Sequence, residues 1–254
     1  MSKVNQNTTN PKVDTEEVSH PESLSVWGLA WPSILNNLLF ASVGLVAIKA
    51  VGSLGAGPVA AVGTGQRIFW VFQALIMAVM AGTTALVARA IGSGNREEAA
   101  QVMRASVGIC FIFSLLTTFF LWLYAEEVIG IFGLDQETKK LAVTYLLIII
   151  FFTPVFSISM VVSTALRAAG DVKTPLYIGV FTNILNIYLL LGLVNGHYGM
   201  PNMGIVGAAM AGGISFSTGS VIYLSLWFRK KLVIPIGNKG SMSIERLKKL
   251  FEVG

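Results

Sequence analysis

Six apolar stretches run through this chain, each about as long as a helix needs to cross a bilayer, and none contains an acidic side chain. All thirteen Asp and Glu residues fall in tails or connectors. Asp14, Glu16, Glu17 and Glu22 precede the first stretch; Glu245 and Glu252 follow the last. Glu97 and Glu98 share one connector, Glu126, Glu127, Asp135 and Glu137 another, and Asp171 stands in a third. A carboxylate in hydrocarbon is expensive, so acids sorted in this way mark membrane spans. Only 12% of the residues are charged, against about 25% in soluble domains. Inside a membrane the backbone must satisfy its own hydrogen bonds, which makes each span a helix. The expected fold is all-α and integral to the membrane, with six transmembrane helices.

The windows are 24–48, 68–88, 102–124, 141–166, 175–194 and 204–228, the second lying within a longer helix that begins near Pro58. Pro58 and Pro175 suit the first position of a helix, where the missing N–H costs nothing. Pro32 and Pro154 lie inside spans and are expected to bend them. Residues 1–23 are polar, lack the apolar core of a signal peptide, and are expected to be a disordered cytoplasmic tail. Asn7-Thr8-Thr9 matches a glycosylation sequon, a pattern that commonly arises by chance. The lobe is expected over 24–232, followed by an amphipathic cytoplasmic linker at 233–254.

Basic residues set the direction. With the N-terminus inside, fourteen of the eighteen Lys and Arg residues face the cytoplasm. Lys139 and Lys140 lie in an outer loop, and Lys49 and Arg67 near outer span ends. Both termini are therefore expected inside. Charge sorted by membrane side, not gathered into a patch, argues against a nucleic-acid partner. The single cysteine, Cys110, permits no internal disulfide and suits a small buried hydrophobe. His20 and His197 have no neighbours at metal-ligand spacing. Gly92-Ser93-Gly94 lacks the strand context of a nucleotide loop. No nucleophile–base set is present, so an enzyme is not expected.

A few polar residues interrupt the spans. Asn36 and Asn37 lie one turn beyond Pro32. Asn183 and Asn186 are three apart, so they share a helix face, as do Gln66 and Gln73. These amides are candidates for a substrate or ion pathway, and interhelical hydrogen bonding would explain them equally. Lys49 and Arg67 either face a cavity or snorkel to the interface. Trp27, Trp31, Trp70, Trp122 and Trp227 are placed near span ends, as in an interfacial belt; Trp70 is also a candidate cavity residue. The nine methionines suit either an adaptable binding surface or core packing. Thr84 to Gly92 and Thr164 to Gly170 repeat one pattern: an arginine in the last turn, favoured by the helix dipole, then a glycine for a left-handed cap.

In this order the segments resemble the multidrug and toxic compound extrusion (MATE) family. The resemblance rests on Val51-Gly52-Ser53-Leu54-Gly55 followed by Pro58-Val59-Ala60-Ala61-Val62-Gly63, and on Ala81-Gly82-Thr83-Thr84-Ala85-Leu86-Val87-Ala88-Arg89-Ala90-Ile91-Gly92-Ser93-Gly94-Asn95. It continues through Leu166-Arg167-Ala168-Ala169-Gly170-Asp171-Val172-Lys173-Thr174-Pro175, Asn183-Ile184-Leu185-Asn186 and Gly204-Ile205-Val206-Gly207-Ala208-Ala209. It implies a twelve-span antiporter of two six-span lobes, exporting cationic or amphipathic compounds by alternating access with Na+ or H+ as coupling ion. This chain resembles the N-terminal lobe and reads as truncated. A second lobe would come from the same polypeptide at full length, or otherwise from a homo- or heterodimer. The family commonly carries two aspartates in this lobe; the matching positions here are Ala47 and Leu190, so that site is expected to be absent. Pro32, Asn36, Asn37, Gln66, Arg67, Gln73, Asn183 and Asn186 remain the pathway candidates. Two alternatives stay open: a lipid-linked oligosaccharide flippase of the same superfamily, which a cavity-facing Lys49 and Arg67 would favour, and a non-transporting membrane interaction module.

Overall fold

The structure is a computed structural model describing residues 26–234, without the side chains of 26–30, 32, 33, 36 and 40. Six α-helices follow in order: α1 (Val26–Gly52), α2 (Ala56–Gly92), α3 (Arg96–Gly130), α4 (Gln136–Ala168), α5 (Lys173–Asn195) and α6 (Gly204–Phe228). A short 3-10 turn, His197–Gly199, links α5 to α6. Among the described residues, α2 to α6 are long and apolar enough to cross a membrane; α1 has 27 residues with an apolar part at Asn37–Gly52. The protein is a multi-pass integral membrane protein of all-α fold.

Several helices outrun the hydrophobic windows that announce them. α2 and α3 have 37 and 35 residues, or roughly 50 Å each at 1.5 Å per residue, well beyond about 30 Å of hydrocarbon. Their polar turns lie past the span ends: Glu97 and Glu98 in the first turn of α3, Glu126 and Glu127 near its end. Tyr124, where the window stops, is the one residue in α3 with non-helical dihedrals (φ −119°, ψ 16°). Pro58 and Pro175 both stand third in their helices, not first. The first four N–H groups of a helix have no intrahelical acceptor, so proline is harmless there too.

α4 is the central element. It packs on α2 and α3 on one side and on α6 on the other; α6 packs on α5, and α5 carries α1. Alternating helix direction separates two main cores. One joins the end of α2 (Val87, Ala90), the start of α3 (Ala99, Met103) and the end of α4 (Val162, Leu166) with Tyr223, Leu232 and Ile234. The other joins the start of α2 (Ala61, Ile68), the end of α3 (Leu121, Ile129) and the start of α4 (Ala142, Leu146) with Ile205 and Ala209. Small residues allow the close crossings. A Cβ on Gly207 would lie 2.6 Å from the Leu193 carbonyl carbon, which leaves only glycine there.

Pro154 lies inside α4. It has no N–H, so it cannot bond the carbonyl of Ile150 one turn earlier. Thr118 of α3 donates to that carbonyl from 2.9 Å. A bare acceptor in an apolar interior costs about 1–3 kcal/mol, so this hydroxyl makes the proline tolerable.

Three helix ends on one face of the bundle close alike. After α4, Gly170 is left-handed (φ +86°) and Asp171 N–H bonds the Leu166 carbonyl at 2.9 Å. After α2 the left-handed residue is Gly94 (φ +75°), not Gly92, which is the last helical residue, and Asn95 N–H bonds Ala90 at 2.9 Å. After α6 it is Lys230 (φ +54°), with Lys231 N–H on Leu226 at 3.0 Å. These are Schellman closures, which satisfy the terminal carbonyls.

Candidate functional site

The long helix α2 presents Gln66, Trp70 and Gln73 at spacings of three and four, hence on one face. That face, with α4 and α6 opposite, encloses a cavity of about 160 Å³. Phe69, Phe152, Phe156, Phe216, Ile149 and Met160 supply its apolar walls, and Thr153, Gly212 and Gly213 complete it. No side chain in the lining carries a charge. Its polar side-chain groups are two amides, a hydroxyl and the Trp70 indole N–H, set among aromatic faces.

The buried amide is anchored. Gln73 is 2% exposed, and its Nε2 donates to the Met160 thioether across the cavity. Gln66 is exposed and lies beside Tyr145 of α4. Tyr145 itself lies against Gly65, where a Cβ would come within 2.6 Å of the ring. Phe152 depends likewise on Gly213, because a Cβ there would overlap its ring. The glycines of α6 thus let an aromatic wall lie flat on the helix backbone. Behind Gln73, a space of about 10 Å³ is bordered by Ser114, Thr117 and Thr153.

Trp70 was expected near a span end. Because α2 begins at Ala56, Trp70 stands roughly 20 Å along it and is a cavity residue, 48% exposed. Trp31 and Trp122 are exposed.

The remaining candidates lie elsewhere. Arg67 and Lys49 are exposed, and neither lines the cavity; Lys49 sits in the last turn of α1, not beyond it. Asn37 is exposed. The side chains of Pro32 and Asn36 lie outside the described residues. Asn183 and Asn186 are buried in α5, 4% and 5% exposed. Asn186 faces the α6 backbone, its Nδ2 3.9 Å from where a Cβ on Gly212 would stand, and Asn183 Oδ1 has no hydrogen-bond partner.

Ala47 and Leu190, the positions matched to family aspartates, come together. Leu190 is 3% exposed and packs with Ala50, Val194 and Ala211; Ala47, Val46 and Leu54 close over them. This cluster between α1, α5 and α6 is itself apolar, with the buried Asn186 one turn before Leu190 facing the α6 backbone beside it. Its residues offer no oxygen to Na+ and no carboxylate to a proton, so they do not fit a coupling ion.

A family profile described as MatE matches residues 32–191. A probable multidrug resistance protein NorM of Thermotoga maritima is 33% identical over 204 residues, covering 80% of this chain and 44% of the relative. A probable multidrug resistance protein YoeA of Bacillus subtilis is 27% identical over 229 residues, covering 88% and 49%. A solved MOP superfamily transporter from Pyrococcus furiosus, described as having a binding pocket of reverse polarity that suggests a different function, superposes with TM-score 0.82 at 25% identity. It is matched over 89% of this chain and 49% of its own. The chain spans about half the length of the curated relatives it matches. The profile match, the identity to a NorM-type relative and the shared six-helix architecture together show that this chain belongs to the MatE family, whose members are transporters and not enzymes.

Proposed function

We propose that the chain acts as one lobe of a secondary active transporter that exports small cationic or amphipathic compounds by alternating access. The second six-span lobe comes from the same polypeptide at full length, or otherwise from a homo- or heterodimer. The protein sits in an inner or plasma membrane with both termini cytoplasmic, where the excess of basic residues lies.

The uncharged aromatic cavity carries this reading. The faces of Trp70 and the phenylalanines attract a cation by about 0.5–2 kcal/mol while accepting neutral rings equally well. Gln73 and Gln66 present amides that can donate or accept. Met160 adapts its shape without a polar penalty. Relatives named as multidrug resistance proteins support the same cargo class. The coupling ion is H+ or Na+, and the apolar Ala47–Leu190 seam supports a coupling site in the second lobe. The alternative, a flippase for anionic lipid-linked sugars, would draw on Lys49 and Arg67, which are exposed and lie outside this cavity.

The test is efflux of a fluorescent aromatic cation from cells expressing the complete gene product. Wild type should clear the dye faster than empty vector, with Trp70→Ala and Gln73→Leu several-fold slower. Wild-type efflux equal to empty vector across a broad compound panel would remove the export reading.

A further inference from the structure

A second, open groove of about 390 Å³ lies between the ends of α2 and α4, beginning about one helical turn beyond the aromatic cavity on both helices. Met77, Met80, Ala81 and Thr84 form one wall; Thr164, Arg167 and Ala168 form the other. The groove is apolar except at its mouth, where Arg167 is the only charged side chain lining it.

The geometry of Arg167 sets it apart from a helix-capping arginine. The terminal carbonyls of α4 are already taken by backbone N–H groups of Ala169, Gly170 and Asp171. The guanidinium instead turns back along the helix: one nitrogen donates to Ser163 Oγ at 2.7 Å and the other terminal nitrogen to Thr164 Oγ1 at 3.1 Å. Those two bonds use two of the five N–H groups an arginine carries. They fix the cation against the groove wall, and no ion pair joins Arg167 to a carboxylate among the described residues. Thr84 points its hydroxyl at its own helix, to the Met80 carbonyl at 2.9 Å, leaving the opposite wall methyl-lined.

We infer that this groove holds an anionic phospholipid, its phosphate on Arg167 and one acyl chain along Met80 toward Met77. A positive mouth above a greasy channel complements an anionic head on a hydrocarbon tail, and basic pockets between helices at a membrane face bind such heads. The depth agrees. Arg167 is in the last turn of α4, one residue past the apolar window 141–166. From Thr84 to Met77, α2 descends about 10 Å, within the roughly 15 Å of one leaflet. Met77 is 52% exposed and flexible enough to follow a mobile chain. The site is independent of the proposed export activity.

The purified full chain, stripped of lipid and reloaded from vesicles of equal phosphatidylglycerol and phosphatidylcholine, is examined by native mass spectrometry. Wild type should retain one phosphatidylglycerol in preference by about fivefold, the factor that about 1 kcal/mol per basic residue corresponds to. Arg167→Gln should bring the ratio to near one, and Arg167→Lys should restore part of it. Met80→Trp should lower retention of either lipid by filling the channel, whereas Arg89→Gln, outside the groove, should change neither. Equal retention of both lipids by wild type, or a preference that survives Arg167→Gln, overturns the assignment. So does an Arg167→Gln effect confined to oligomeric state, which would make the groove a protein contact. Circular dichroism confirms that each variant is folded.

Discussion

The cavity between α2, α4 and α6 and the seam between α1, α5 and α6 handle polarity in opposite ways. In the cavity, Gln73 is almost wholly buried yet bonded to Met160, and Gln66 is exposed. In the seam, Ala47 and Leu190 fill with methyl groups the places that resemblance assigns to acids. At Gln73 a partner compensates the desolvation of a buried amide, and at Ala47 and Leu190 hydrocarbon fills the space; Asn183, buried with its Oδ1 unpartnered, follows neither pattern. The two regions also differ in support. The walls α2 and α4 are packed on several sides, whereas α1 rests chiefly on α5.

The strongest challenge to this contrast is Leu190→Asp. An unpaired carboxylate in that cluster should cost about 3 kcal/mol and remove most monodisperse protein in size-exclusion chromatography. If the variant melted like wild type and gained a Na+- or pH-dependent midpoint, the seam would be a latent ion site and the contrast would fall. On the cavity side, Gly213→Ala should displace Phe152, costing about 1–3 kcal/mol of overpacking and weakening the quenching of Trp70 fluorescence by an aromatic cation. The double variant with Phe152→Ala should recover stability in thermal melts; no recovery would mean the ring is not what Gly213 accommodates.

Thr118→Val tests the support of the cavity wall. It should lower stability by about 1 kcal/mol, and a double-mutant cycle with Pro154→Ala should remove most of that loss, because the restored N–H then bonds Ile150. Additive effects would deny the link. The smallest effect lies at the start of the same wall. Asp135 caps α4, accepting from Thr138 and Glu137 N–H groups at 3.0 and 3.1 Å, and the Thr138 backbone bond foremost holds its carboxyl below the ordinary value of 3.8. A depressed folded-state value means stability present above the ordinary value and lost as pH falls through the lower one. A slight drop in melting midpoint below about pH 4 should vanish in Asp135→Asn; an identical acid profile in both would assign the drop to other groups.

The spans were legible because acids and apolar runs are mutually exclusive in hydrocarbon, and α6 has the bounds its window gives. The extra turns of α3 and α4 were not, since hydropathy reports where a helix is immersed and not where it ends; the early start of α2 was, because Pro58 marks it within two residues. The shared face of Gln66 and Gln73 follows from spacing alone. The meeting of Ala47 with Leu190, and of Phe152 with Gly213, depends on which helices are neighbours, which periodicity does not encode. Lys230 in a left-handed cap is equally silent, because the fold around it overrides a residue preference worth about 1 kcal/mol.

The bond from Thr118 to Ile150 also has a mechanical meaning. α4 does not complete its own backbone register; a different helix supplies the missing donor. Flexing α4 at Pro154 away from α3 would strip that oxygen bare in a medium with no water to replace the donor. The two helices are thus pinned like a spar and its strut, and any rocking of this lobe must carry them together as one stiff beam.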